Sequence, residues 1–247
     1  MSLTEKNIRE KEFHNELQSK TEGRFENIFY KSLSNAREDF FNFLKNNAKD
    51  SVILDYGCGI GPTIKKVIDF KPKKITGIDI SEVSIQKARN ETKNLNLIVE
   101  LKVDNCEQTK FNNNQFDIIY GLGILHHLDV NKCLNEILRI LKPGGSLLFI
   151  EPLGTNPLIN LYRRLTPKSR SKDEHPLVEK DFILFKDKCL NFEIKYYGFL
   201  TLVFFPFYSN PEKSKLFKIL KSFDQFLFKF RVFQFLAWSV LISAKKY

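Results

Sequence analysis

Long apolar runs are missing from this 247-residue chain. The best candidates, FLTLVFFPF (199–207) and FLAWSVLISA (235–244), fall far short of the ~18 residues that cross a bilayer, so no spanning helix is expected. Cysteine is sparse as well. Cys58, Cys106, Cys133 and Cys189 stand far apart, which excludes a CxxC metal pair and a disulfide framework and fits a reduced, cytoplasmic setting. No other ligand spacing suggests a metal. The opening MSLTEKNIREKEFHNELQ is charged and has no apolar h-region, so no secretory signal is expected. There is no internal repeat. Although the net charge is +10, no block of five or six like charges occurs. The lysines fit either a charge bias spread over the whole surface or an anionic partner. Gly-Lys-Ser/Thr is absent too, which excludes a Walker phosphate loop.

The remaining composition is that of an ordinary globular chain, long enough for one large domain with a sizeable core. Residues 1–48 read as an amphipathic helical cap, with Phe25, Ile28, Phe29, Leu33, Phe40, Phe41 and Leu44 near helical spacing. From 50 to 152 strands and helices alternate. Strands are expected at 51–55, 73–80, 97–105, 115–122 and 146–152, the last after a KPGG turn. The helices between them begin at Pro62, Ser81 and Val130. This alternation is the mark of a parallel sheet covered by helices on both faces. After Pro152 it breaks down. A basic, Pro-punctuated stretch (153–180) precedes strands near 192–199 and 238–246, and an aromatic-rich insertion (200–236) separates those two.

In a parallel sheet, ligands bind beyond the carboxyl ends of the strands, where strand order reverses. VILDYGCGIGPT (52–63) ends the first strand in Gly57, Gly59 and Gly61, and the second strand ends at Asp79. A dinucleotide fingerprint would place its third glycine one position later, and its pyrophosphate would be repelled by Asp55. An ammonium group would instead be attracted. A sulfonium-bearing amino acid joined to adenosine fits all three features: Asp55 for the amino group, glycine backbone for the methionine chain, and Asp79 for the ribose hydroxyls.

LDYGCGIG, GIDIS, KVDNCEQTKF, FDIIYGLGILHHLD and LKPGGSLLFIEP, in that order, resemble class I S-adenosylmethionine-dependent methyltransferases of the small-molecule type (the type 11/25 grouping). EKEFHNE, EPLGTNPLINLYRRLTPKSR and DEHPL resemble a bacterial subgroup of them. The resemblance covers about residues 50–152. It implies a Rossmann-like, mostly parallel seven-stranded sheet with an antiparallel last strand, and S-adenosylmethionine as cofactor. By position it places the methionine end at Asp55, Gly57, Cys58 and Gly59, the ribose at Asp79, and the adenine at Ile80, Asp104 and Asn105. Gly121 and Leu122 would then face the reactive methyl. Tyr56 departs from the family, which commonly carries a small or acidic residue there.

Methyl transfer needs an aligned acceptor, dry surroundings and, for some acceptors, a base. His126 is the first candidate base and His127 the second, with packing or helix capping as the other reading for each. Glu151 would pair with a positive substrate group, orient a histidine, or simply lie exposed. Arg163 and Arg164 either bind a phosphate or carboxylate or belong to a solvated helix face. Tyr30 of the cap is a further substrate-side candidate. In the insertion, positions 216, 219, 220, 223, 226, 227 and 230 form an apolar helical stripe, among Lys213, Lys215, Lys218, Lys221, Lys229 and Arg231 and beside Glu212 and Asp224. It is expected to be core or a dimer interface, or else to touch an anionic membrane or wall a lipophilic pocket. The expected activity is methyl transfer to a small, apolar or lipid-like acceptor, with oxygen favoured over the carbon of a quinone-like ring. RNA is not expected as a substrate, because GLGILHH stands where an Asn-Pro-Pro-Tyr-like block would be. A non-catalytic binding protein on the same fold is the third reading. The chain would act as a monomer or homodimer in the cytoplasm, or peripherally at the inner membrane surface.

Overall fold

The computed structural model describes residues 3–20, 28–95, 98–167, 170–208, 210–211 and 213–247. Phe25, Leu97, Lys168 and Glu212, which figure in the sequence reading, lie outside these, as do the side chains of Ile28 and Phe29.

Val52–Tyr56 forms β1, Lys74–Asp79 β2, Val99–Val103 β3, Phe116–Leu122 β4, Leu141–Pro152 β5, Leu190–Tyr197 β6 and Ser239–Lys245 β7. They make one sheet in the order β3-β2-β1-β4-β5-β7-β6. Neighbours from β3 through β5 pair in parallel. The last strand, β7, inserts antiparallel between β5 and β6. The chain winds outward from β1 to β3 and then crosses back to β4, so strand order reverses between β1 and β4. Their carboxyl ends are Tyr56 and Leu122, on either side of the expected ligand position. β1 is buried on both faces, as a central parallel strand requires, with Ile53, Leu54 and Tyr56 fully enclosed.

Helices cover both faces. On one lie Val130–Ile140 (α6) and Glu179–Lys188 (α8), sharing a core with Leu54, Ile119, Leu147 and Phe149. The other face packs Ser34–Asn47 (α3), Pro62–Val67 (α4) and Glu82–Glu91 (α5) over Ile53, Ile75, Ile118 and Leu148. The remaining helices are Glu5–Lys20 (α1), Ile28–Lys31 (α2), Pro157–Leu165 (α7), Leu200–Val203 (α9), Lys215–Leu227 (α10) and Arg231–Gln234 (α11).

Four expectations are corrected. KPGG does not precede β5 but lies within it. Leu141 already pairs with Phe116, and a register shift between Phe116 and Ile118 absorbs the irregularity. Helix α8, unforeseen within the punctuated stretch, buries Phe182 and Phe185, and its Asp181 side chain accepts a 2.9 Å bond from the Val178 N–H at its start. Helix α1 is not amphipathic: its buried described residues are the polar Asn7 and Glu10. Finally, the stripe on α10 does not serve as core, one of the readings left open for it, since only Leu220 of it is buried. The buried side of α10 is Phe217, Leu220 and Asp224, and Leu216, Ile219, Phe223 and Phe226 are exposed. Phe217 and Leu220 pack with Tyr208 in a small separate core.

Candidate functional site

At the end of β1 the chain reverses through Gly57 and Gly59, with φ of +75° and +52°. A side chain at Gly57 would strike Ile124, only 2.6 Å from the Cβ position, whereas nothing lies within 4 Å of a Cβ at Gly59. The turn therefore packs against the β4 loop on one side and opens onto free space on the other. Cys58 between them does not face that space. Its buried thiol belongs to the core beneath, with Ile64 and Ile85.

Asp55 is buried and its Oδ2 has no hydrogen-bond partner. Burial pushes its carboxyl up to about 8 and the negative charge of Asp79 adds to the shift. Tyr120, its register neighbour on β4, lies close enough to oppose the shift, although its hydroxyl is not in hydrogen-bonding geometry. An orphaned carboxylate oxygen in a dry site is costly unless a cation meets it.

Asp79 is satisfied more fully. Its Oδ2 accepts from the Gly59 N–H and its Oδ1 from the Ser81 N–H, both at 2.9 Å. Each oxygen keeps one lone pair, and burial raises the carboxyl pKa against these backbone bonds. Beyond β3, Asp104 accepts from Asn105 N (2.9 Å) and Lys110 N (3.1 Å), so it shapes its own loop. The Tyr56 hydroxyl donates to the Cys106 carbonyl, tying that loop to the strand that carries the glycine turn. The departure at Tyr56 thus has a packing role, with the ring fully buried against Phe149. Ile80 and Leu122 are half-buried at the same edge. A Cβ at Gly121 would meet Ile124, Phe149 and the Tyr56 carbonyl at 2.7–2.8 Å, so only its backbone is available to a ligand.

Of the three readings for Glu151, that of a histidine orienter is the one the geometry supports, since the residue is fully buried. Its Oε1 accepts from Ile124 N (2.9 Å) and Leu125 N (2.8 Å), and its Oε2 from His126 N (3.4 Å). Oε2 also lies 2.7 Å from His126 Nδ1. Burial raises the carboxyl to about 7, with the backbone bonds opposing. Three N–H donors favour the carboxylate, which makes Nδ1 the protonated ring nitrogen and leaves Nε2 as the acceptor. Burial also lowers His126 to about 4.

His127 belongs to a second group, which the sequence reading missed. Its Nδ1 is 3.1 Å from Glu10 Oε2 on α1, and its ring packs edge-on to His14 at 5.0 Å. Burial alone would raise Glu10, but His127, His14 and Ser171 outweigh it and hold the carboxyl well below the usual range. The rest of α1 is fastened across the strand ends in the same polar manner. Asn7 binds Glu107 and Asn105, Asn15 binds Ser81, and Arg9 forms a two-point pair with Asp173. Nothing in the hydropathy pattern marks α1 as part of the site. The one available signal was the i, i+4 spacing of Glu10 and His14 within EKEFHNE.

The paired arginines diverge. Arg163 turns inward to the Leu153 carbonyl (2.7 Å) and Asn160 Oδ1 (2.9 Å), and burial lowers it to about 10. Arg164 is exposed, so the two do not form one fork. Arg170 lies nearer Arg163 in effect, and its buried Nη1 has no hydrogen-bond partner. Tyr30 packs on Trp238 at 5.4 Å between centroids. A separate depression of about 740 Å³ is lined by Thr4, Glu107, Asp129 and Lys180 and contains none of the glycine-turn residues.

Residues 54–149 match the family model described as a methyltransferase domain. A sterol 4-C-methyltransferase of Caenorhabditis elegans is 30% identical over 106 residues, 42% of this chain and 31% of that protein. A sterol 24-C-methyltransferase of Aspergillus fumigatus is 28% identical over 136 residues, 53% of this chain and 36% of that one. The chain thus spans about a third of the length of these curated relatives. In fold, it resembles the geranyl diphosphate C-methyltransferase of Streptomyces coelicolor, solved with Mg2+, geranyl diphosphate and S-adenosyl-L-homocysteine. That match has a TM-score of 0.67 at 14% identity and covers 99% of this chain and 98% of the other. A Haemonchus contortus phosphoethanolamine N-methyltransferase, solved with S-adenosylhomocysteine, gives 0.62 at 19% identity over 86% of this chain and 52% of its own.

Proposed function

We infer, from a core whose residues 54–149 are a class I methyltransferase domain, that the chain binds S-adenosylmethionine and methylates a small, lipid-like acceptor. The observation that carries the reading is the buried, unpartnered Asp55 Oδ2 beside a glycine turn that is open at Gly59. An ammonium group satisfies that oxygen, and the free lone pairs of Asp79 suit two ribose hydroxyls. Asp104 and Asn105 lie where an adenine would follow. When bound, the cofactor supplies a methyl group on a positively charged sulfur.

The chain's own part is to align the acceptor, exclude water and accept a proton. His126 Nε2 is the proton acceptor in this reading, and Glu151 fixes its tautomer and ring. A base lowered to about 4 is poorly matched to an alcohol. It is sufficient for the proton that leaves a carbon after that carbon has gained a methyl. The similar proteins named as sterol and geranyl diphosphate C-methyltransferases point the same way. Carbon methylation of an apolar acceptor is therefore the first reading, and the oxygen acceptor favoured by the sequence is second.

The exposed surface supports an acceptor drawn from a membrane. Phe223, Phe226, Phe230, Val232 and Phe235 are exposed on and around α10 and α11, with Lys215, Lys218 and Lys229 among them. Leu158, Leu161 and Leu165 of α7 are exposed too. The two surfaces adjoin, because the Thr155 hydroxyl just before α7 donates to the Phe235 carbonyl at 3.0 Å. Apolar rings set among lysines suit an anionic bilayer face. No helix among the described residues is long and apolar enough to cross a membrane.

Calorimetry with S-adenosylmethionine tests the central reading: a 1:1 complex weakened by Asp79→Ala is expected, and no heat with the wild type would refute it. Mass spectrometry of labelled products from sterol, polyprenyl and quinol acceptors then tells carbon from oxygen methylation.

A further inference from the structure

Among the described residues, two groups of three donors each lie within 4.8 Å of one another. Glu10, His14 and His127 form the first, and His126, His127 and Glu174 the second. We propose that Glu10, His14 and His127 are the protein ligands of a divalent transition metal of the zinc type, which clasps α1 to the loop after β4. The inference stands apart from the methyl-transfer reading and uses neither Asp55 nor Asp79.

Glu10 and His14 are four residues apart on α1 and so project from one face of the helix. His127 comes from the short turn between β4 and α6, more than a hundred positions along the chain. Glu10 Oε2 lies 3.1 Å from His127 Nδ1 and 3.6 Å from His14 Nε2. Three ligand atoms about 2.0–2.2 Å from a tetrahedral zinc are separated by roughly 3.3–3.6 Å. The two measured edges bracket that range, and the third lies within 4.8 Å.

Glu10 is 5% exposed, and its Oε2 has no hydrogen-bond partner despite the two imidazoles beside it. Its other oxygen, Oε1, is fixed by the Ser171 hydroxyl at 2.6 Å. A carboxylate oriented through one oxygen, with the other aimed between two ring nitrogens, is how a ligand and its supporting partner are arranged. Two imidazoles and one carboxylate are borderline donors that favour zinc, cobalt or iron over magnesium or calcium. They leave one position open in a tetrahedral site. His14 and His127 are half-buried, so the site is accessible from solvent.

The second trio does not rank equally. Its carboxylate, Glu174, lies 3.4 Å from the Arg170 guanidinium, which competes for its charge, and His126 Nε2 is the proton acceptor of the methyl-transfer reading.

The test is zinc titration of the full chain after stripping with a chelator, together with the visible spectrum of the Co2+ form. One Zn2+ per chain is expected, with a rise in melting temperature and an intense Co2+ absorption near 550–650 nm of the kind a four-coordinate N/O site gives. Glu10→Gln, His14→Ala and His127→Ala should each weaken zinc by at least about 100-fold. Glu174→Gln should leave it within a few-fold. A wild-type chain that binds no stoichiometric zinc overturns the proposal, and that result depends on no variant folding. Loss of zinc in Glu174→Gln with retention in Glu10→Gln would assign the metal to the other trio and equally overturn it.

Discussion

Glu151 Oε2 and His126 Nδ1 are 2.7 Å apart, in a turn whose three successive backbone N–H groups the same carboxylate holds. One acid thus shapes the loop after β4 and sets the ring within it. Glu151→Gln keeps the volume but turns an NH2 toward the ring or the backbone. We expect turnover to fall by about 100-fold with little change in KM, and the pH profile of kcat to change shape. Glu151→Ala leaves buried N–H groups unpaired and should lower stability by about 3 kcal/mol in denaturant unfolding. Unaltered turnover in both variants would remove His126 from the chemistry as well.

Asp55 makes cofactor affinity depend on pH. Its folded-state pKa, about 8, lies above the unfolded value near 4. Its contribution to stability is therefore present below the unfolded value and lost as pH rises through the folded one. A bound ammonium reverses the preference and favours the carboxylate. Affinity for S-adenosylmethionine should rise by up to about tenfold per unit between pH 6 and 8 and then level off. Asp55→Asn should bind about 30-fold more weakly with a flat profile. Calorimetry in buffers of different ionisation enthalpy reads the released proton directly.

Asp224 predicts a stability effect far from the site. Lone among lysines in the sequence, it is buried. It accepts from Phe199 N, Leu200 N, Thr201 N and the Thr201 hydroxyl at 2.7–3.3 Å, so it caps α9 from a distance. Asp224→Ala should cost about 2–4 kcal/mol, seen as a lower denaturation midpoint, with cofactor affinity intact.

Phe223 and Phe226, each 55% exposed, provide the test of membrane contact. Their joint replacement by Glu should leave the melting temperature within a degree or two. Recovery of the protein with phosphatidylglycerol-containing vesicles in flotation should drop more than tenfold, given roughly 1.5–3 kcal/mol per buried ring. Equal recovery of wild type and variant would retire the bilayer reading.

Much of the parallel half of the sheet and its ligand edge was legible in the sequence, because apolar runs ending in glycine or aspartate occur there at a regular pitch. The positions of Asp55 and Asp79 at the ends of β1 and β2 were legible in this way. Helix α10 was left open between core, interface and membrane contact for a definite reason. It is apolar on more than one face, so periodicity alone could not say whether Phe217 or Phe223 was inside. The Arg163–Arg164 pair stayed open between anion binding and a solvated face because adjacency in sequence hides the ~100° turn between consecutive residues of a helix. Glu10, His14 and His127 were invisible as a group, since their proximity comes from how α1 lies over the sheet.

Helix α1 buries only polar residues among those described. Its polar contacts, from Asn7 to the Lys87 bond with the Gln18 carbonyl, are ones that water can replace. Lifting it off the strand ends therefore exposes little oil and carries little of the heat-capacity signature of unfolding. It is bolted down, where an apolar helix would be glued. Such a fastening weakens with added salt, as packed apolar surface does not.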